Sequence, residues 1–156
     1  TLSMTPDQRF FHFWQSGYAG VPFCSCAASD LYAAFRAWCK VSGERFVPTL
    51  THFGRTVSEE MERLGAPPKR AVRYEAYSDK QVHDGDFSGG TTSKQGIVYF
   101  VHPSVETMNP RVDTDVREPP PESEQPDPND PKHFGTRIKM FQSGLHELLS
   151  SARRSL

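Results

Sequence analysis

Long apolar runs are missing from this sequence. None of its 156 residues lies in a stretch near the roughly 18 consecutive apolar residues of a membrane span, and no basic region followed by an apolar one opens it. Neither a transmembrane segment nor a signal peptide is therefore read. Cysteine is scarce: Cys24, Cys26 and Cys39 are odd in number, and the first two stand too close for an ordinary structural loop. Free thiols in a reducing cytoplasm are the expectation. Charge of one sign is not in excess either, with 18 Lys and Arg against 19 Asp and Glu and a mean hydropathy of −0.60. Three sequence signatures of catalysis are absent: a phosphate-cradling Gly-Lys-Ser/Thr loop, a His-Glu-x-x-His helix and a nucleophile elbow. This segment is not read as an enzyme, and a helicase or primase activity of any longer parent lies outside it. A thiol nucleophile among the scattered Cys, His and Asp is the residual enzymatic alternative.

What is present is aromatic. Eleven Phe, five Tyr and two Trp, within 36% hydrophobic residues, suffice for one core in a chain of one domain's length. The chain opens at Thr1 without an initiating methionine, and a domain excised from a longer protein is expected. The near-zero net charge hides a division along the chain. Residues 1–101 carry 11 basic and 10 acidic side chains; residues 102–131 carry two basic against eight acidic; residues 132–156 carry five basic and only Glu147. The middle stretch also holds most of the prolines and can neither sustain a helix nor bury apolar area. The expected organisation is a folded body over 1–101, an acidic Pro-rich connector over 102–131 and an amphipathic helix over 132–156.

Within the body, Thr5-Pro6-Asp7-Gln8 is a helix start, with a hydroxyl at the cap, proline at the first helical position and a glutamine placed to reach back. A short aromatic helix follows to Gln15, stopped by Gly17, Gly20 and Pro22. Ser29 is placed to cap a second helix with Leu31, Phe35, Trp38 and Cys39 on one face, ended by Gly43. Leu50, Phe53, Val57, Met61 and Leu64 predict a third helix over 49–64, closed by Gly65, Pro67 and Pro68. Residues 70–77 and 97–101 read as strands, with a polar loop over 78–95 between them. Helices followed by a two-stranded hairpin with a long loop are the order of a winged helix, an α+β fold.

The run from Ser29 to Gly43, the Phe53-Gly54-Arg55 of the next helix and the strand ending Gly96-Ile97-Val98-Tyr99 resemble the winged-helix domain at the C-terminus of phage and plasmid primase-helicases of the poxvirus-type superfamily three. The same order, with Thr92-Ser93-Lys94 ahead of the last strand, is similar to the DNA-binding domain of the regulatory factor X proteins. The resemblance covers about residues 29–101 and implies duplex DNA binding, often at a replication origin, with other replication proteins as partners. It also adds Lys94 to the candidate DNA contacts. The regulatory factor X wing is rich in arginine; here the corresponding loop holds Asp79, Asp84 and Asp86 against Lys80 and Lys94.

The residues give the rest of the candidate interface. Thr49, Thr51, His52 and Arg55 fall at the start or on the open face of the third helix, where base and phosphate contacts of a recognition helix arise. Lys69, Arg70 and Arg73 bracket the first strand of the hairpin, where cations can hold a phosphate backbone. A solvated helix face and ordinary surface charge are the plain alternatives. Glu59, Glu60 and Glu62 oppose deep groove insertion of the helix's second half. Asp84 to Gly89 has the oxygen spacing that opens a calcium loop but lacks the closing Glu, and is read as a turn. Cys24 and Cys26 with His12 or His52 match no common zinc spacing, so no metal and no cofactor is expected. In the tail, Phe134, Ile138, Phe141, Leu145 and Leu148 share one helix face, which can pack on the body, bind a partner or self-associate. The opposing functional reading is a protein-interaction module using the same fold and the tail helix.

Overall fold

The computed structural model describes residues 4–107 and 127–154. Its first helix, α1 (Pro6–Gln15), starts where proline costs no hydrogen bond, and the Thr5 N–H donates to Gln8 Oε1 at 3.0 Å. A short strand β1 (Cys26–Ala27) runs directly into α2 (Ala28–Ser42). Helix α2 ends at Gly43, whose φ of 74° is the left-handed conformation a helix stop requires. Thr49 caps α3 (Leu50–Arg63), and β2 (Arg70–Ala76), α4 (Asp79–Asp84) and β3 (Thr92–Tyr99) follow. A 3-10 turn at Pro103–Val105 and the long helix α5 (Pro131–Arg154) complete the described chain.

The result is a mixed α+β architecture, with five α-helices and a three-stranded antiparallel sheet of order β1-β3-β2 among the described residues. That order is compatible with a winged helix. Three expectations need correction. Helix α2 begins at Ala28, not after Ser29, because β1 delivers the backbone already extended to Ala27 and Ser29 lies in the first turn. The polar loop expected over 78–95 contains α4, opened by reciprocal Ser78 and Gln81 bonds at 3.2 and 2.9 Å. Strand β3 begins at Thr92, where pairing with Ala76 satisfies a backbone whose side chains are too polar to announce a strand.

Aromatic burial holds the helices together. Phe10, Phe35, Phe53, Trp14 and Trp38 interlock, with Phe35 stacked on Phe53 at 4.5 Å and Phe10 edge-on to Phe35 at 5.4 Å. The Trp14 indole N–H is satisfied by the Pro22 carbonyl at 2.7 Å. Truncating one such ring to Ala costs about 3–5 kcal/mol. A second cluster joins Val98, Phe100, Tyr74 and Ala76 of the sheet to Phe134 and Ile138 of α5.

All five apolar side chains expected on one face of the tail helix are buried against the body. Gln142, fully buried, accepts from the Tyr77 N–H and donates to the Tyr77 carbonyl, both at 3.0 Å, continuing the edge of β2 into α5. Gly144 is required by proximity: a Cβ there would stand 3.0 Å from Pro22 and 3.3 Å from the Val21 backbone. Residues 102–107, expected in the connector, are tied to the body, since Phe23 and Thr107 exchange backbone bonds of 2.7 and 3.1 Å and Glu106 pairs with Arg137 at 2.7 Å. The rest of the acidic connector, residues 108–126, lies outside the described residues.

Candidate nucleic-acid interface

Strand pairing decides which of the candidate cations share a surface. In the β2–β3 register Arg73 stands opposite Gln95 and Ala71 opposite Ile97, so alternation puts Arg73, Ala71, Gln95 and Ile97 on one face. Lys69, just before β2, lies over the ring of Tyr99, which belongs to that same face, at 5.8 Å. Tyr99 is also the point of approach to α3, because a Cβ on Gly54 would meet its hydroxyl at 3.6 Å. Helix α3, on which Thr51 and Arg55 are exposed, thus meets the hairpin at Tyr99, the end of β3 that lies under Lys69, whereas Arg73 stands farther along the same face. Arg55 has no partner among the described residues, and Arg73 makes one long bond to Ser93 Oγ at 3.5 Å.

Two candidates belong to the opposite face. Arg70, paired with Val98, stacks its guanidinium over Phe100 at 4.9 Å and donates to Asn129 Oδ1 at 3.2 Å, latching the chain ahead of α5. Lys94, opposite Tyr74, turns toward Asp79 at 3.9 Å on the side covered by α2, α4 and α5. Arg70 and Arg73, three positions apart on one strand, fall on opposite faces by alternation alone; the side taken by Lys94 follows from the β2–β3 register.

Two others are occupied in positioning α3. The Thr49 hydroxyl accepts the His52 N–H at 3.2 Å as the helix cap. His52 Nδ1 lies 2.8 Å from Oδ2 of Asp7, a fully buried carboxylate that also accepts from Thr56 Oγ1 at 2.6 Å and from Thr5 Oγ1. Burial pushes the Asp7 carboxyl up, but the hydroxyls of Thr5 and Thr56 and the nearby His52 outweigh it and hold the pKa below the usual value. Asp7 therefore pins the first turn of α1 to the middle of α3, a tie that sequence reading missed because its partners lie 49 positions apart.

The surface is electrically mixed. Glu59 and Glu62 are exposed on α3 beside Arg55, Glu75 is exposed on β2, and Arg63 is neutralised by Glu60 at 2.9 Å. The β2–β3 connection is no free cationic wing, since α4 packs on α5 through Val82, whose carbonyl lies 2.8 Å from His146 Nδ1. The acidic run from Asp84 supplies a helix end, a left-handed Gly85 with φ 74° and a Ser88–Asp86 bond of 2.9 Å. All three cysteines are buried thiols; Cys39 is pushed up to about 12, chiefly by burial. Among the described residues no three His, Cys, Asp or Glu side chains gather as a metal site, and no helix is long and apolar enough to cross a membrane. No protein-family model, curated protein or solved structure matches the chain.

Proposed function

We propose that this chain is a winged-helix domain of a phage- or plasmid-type replication protein and binds duplex DNA at or near an origin. Helix α3 is the reading element, and the β2–β3 hairpin is the wing. The observation that carries this is the Tyr99 junction, where Gly54 of α3 meets the end of β3 that lies under Lys69, with Thr51 and Arg55 exposed on that helix and Arg73 on that sheet face. The strand order β1-β3-β2 and the resemblance of residues 29–101 to replication winged helices support it. Thr51 and Arg55 approach the groove, Lys69 and Arg73 meet the phosphates, and Arg70, Lys94, Thr49 and His52 serve the fold. Because Glu59, Glu62 and Glu75 flank these cations, contact is confined to the N-terminal half of α3.

The test is anisotropy of labelled duplex and single-stranded DNA titrated with the chain at several salt concentrations. Duplex-preferring affinity that falls steeply with salt is expected, and the slope counts the phosphates neutralised. Arg55→Glu and Arg73→Glu each weaken it by tenfold or more, whereas Arg70→Gln leaves the salt slope unchanged. No binding to either DNA at low salt, or equal losses in all three variants, removes the assignment.

The second reading, a protein-interaction module, is favoured by one observation. Phe46 is 83% exposed and Leu50 56% exposed, with exposed Val47 between them, an apolar group at the entrance to α3 that no intramolecular contact explains. Under it, Phe46→Ser improves solubility and leaves DNA titrations blank, as in the parent chain.

A further inference from the structure

On the side of the sheet away from α3, the structure holds a cavity of about 550 Å³ lined by residues of α2, β2, α4, β3 and α5. Its floor is Asp30 in the first turn of α2. Asp30 is only 7% exposed, yet among the described residues it has no hydrogen-bonded or ion-paired partner. A carboxylate whose only water is that of the cavity is incompletely hydrated, a cost that a cationic partner in the cavity would offset. The cation that acts most on it, Lys94, stands at the rim, 3.9 Å from the fully exposed carboxylate of Asp79. Two carboxylates against one ammonium leave the cavity with a charge of −1 when all three are ionised. Opposite the polar side stands an aliphatic wall of Ala33, Val82, Leu145 and Leu149. The volume is well beyond the roughly 30 Å³ of one water and within the usual range of small-molecule pockets.

We infer that this cavity binds an organic cation, an ammonium or guanidinium group on an aliphatic stem, with Asp30 as its counter-ion and the Leu145–Leu149 wall as the seat of the stem. An anion is disfavoured because Lys94 already faces two carboxylates. A metal ion is disfavoured because, among the described residues, no three His, Cys, Asp or Glu side chains gather as ligands. The site stands on the face of the sheet opposite the proposed DNA surface, so the two are separable. The same chemistry is offered by a free alkylamine or by a Lys or Arg side chain of another protein, and the experiment distinguishes them.

The folded chain is titrated with butylguanidinium, with butylammonium and with an acetylated, amidated Gly-Lys-Gly peptide, followed by backbone amide NMR shifts and calorimetry. Saturable shifts are expected at Asp30, Val82, Lys94 and Leu149. Asp30→Asn, which keeps the shape, reduces affinity at least tenfold. Lys94→Met, which removes the resident competitor, increases it several-fold. These opposite responses guard against a variant that merely unfolds. The titratable groups near Asp30 are Cys26 from β1, whose buried thiol stays protonated, Tyr74 from β2, Asp79 from α4 and Lys94 from β3, with none from α5 lining the cavity; affinity therefore falls as the solution is acidified below about pH 6, where Asp30 takes up a proton. Tighter binding of the peptide than of butylammonium assigns the ligand to a protein side chain, and the reverse to a free amine. Absence of shifts at these residues, affinity unchanged by Asp30→Asn, or preferential binding of butanesulfonate overturns the inference.

Discussion

Asp7 and Asp30 both sit in the first turn of a helix and both are buried, yet their surroundings push them in opposite directions. Asp7 is ringed by donors and its pKa is lowered despite burial; Asp30 lacks donors, and burial raises its pKa to about 6, with Lys94 opposing and Asp79 adding. The signs for stability follow. A lowered carboxylate contributes stability above its unfolded value of about 3.9 and loses it as pH falls through the folded value; a raised one costs stability at neutral pH, and the cost vanishes below the unfolded value. Asp7→Asn is therefore expected to destabilise the protein at pH 7 by about 1–3 kcal/mol, since Thr56 and His52 lose a charged acceptor. Asp30→Asn is expected to stabilise it by up to about 3 kcal/mol. Urea unfolding at pH 7 and pH 3.5 checks both, with each difference shrinking in acid. Equal signs at pH 7 would contradict the environments described. A residue that costs stability where it stands is also what a binding site, rather than a packing role, accounts for.

At the scale of elements, α5 contains two glycines with opposite reasons to exist. A Cβ on Gly135 would meet nothing within 4 Å, while one on Gly144 would press into Pro22 and the backbone of Val21 and Gly20. Helix propensity alone favours Ala at both by about 1 kcal/mol. Gly135→Ala should gain most of that, whereas Gly144→Ala should lose about 1 kcal/mol or more through overpacking. Thermal unfolding of the pair measures the contrast; equal shifts would mean that the α5 approach to Pro22 is not tight. The sequence suggests Gly144 only as a weak spot, because the partner backbone lies more than 120 positions away. The same distinction sorts the whole fold. Helix α1 was legible from its Thr5-Pro6-Asp7-Gln8 start, helices α2, α3 and α5 because their apolar residues recur at helical spacing, and β3 over Ile97, Val98 and Tyr99. Helix α4 was not, being six residues long with one buried side chain, Val82. Strand β1 has only two residues and leaves no periodicity. Of the interface, the outward position of Thr51 and Arg55 was legible from the stripe opposite them. The separation of Arg70 from Arg73 follows from the alternation of a strand over 70–77, but the side taken by Lys94 was not legible, because it depends on a register between strands. The Asp30 cavity, assembled from five elements, left no local trace.

For the molecule as a whole, the question is whether α5 is an appendage or part of the folding unit. Phe134, Ile138, Phe141, Leu145 and Leu148 are each at least nine-tenths buried against the sheet and α2. At about 1.5–3 kcal/mol for each buried side chain, their removal from the body withdraws an amount comparable to the roughly 5–15 kcal/mol that stabilises a whole domain. It also strips Phe100, Val98 and Tyr74 of their cover and leaves the Tyr77 backbone without Gln142. A chain ending at residue 107 is therefore expected to lose cooperative unfolding and to bind a hydrophobic dye, even though it retains the whole segment that resembles a winged helix. Adding a peptide of residues 127–156 should restore a cooperative transition, because every contact of α5 with the body is non-covalent. A sharp transition in the shortened chain, with an unchanged midpoint, would show instead that α5 merely rests on a domain complete without it. The apolar stripe would then be free to serve a partner or a second copy. Restoration by the peptide would mean that any winged helix here needs a fifth helix to exist, and that DNA titrations must be made on the chain that carries it.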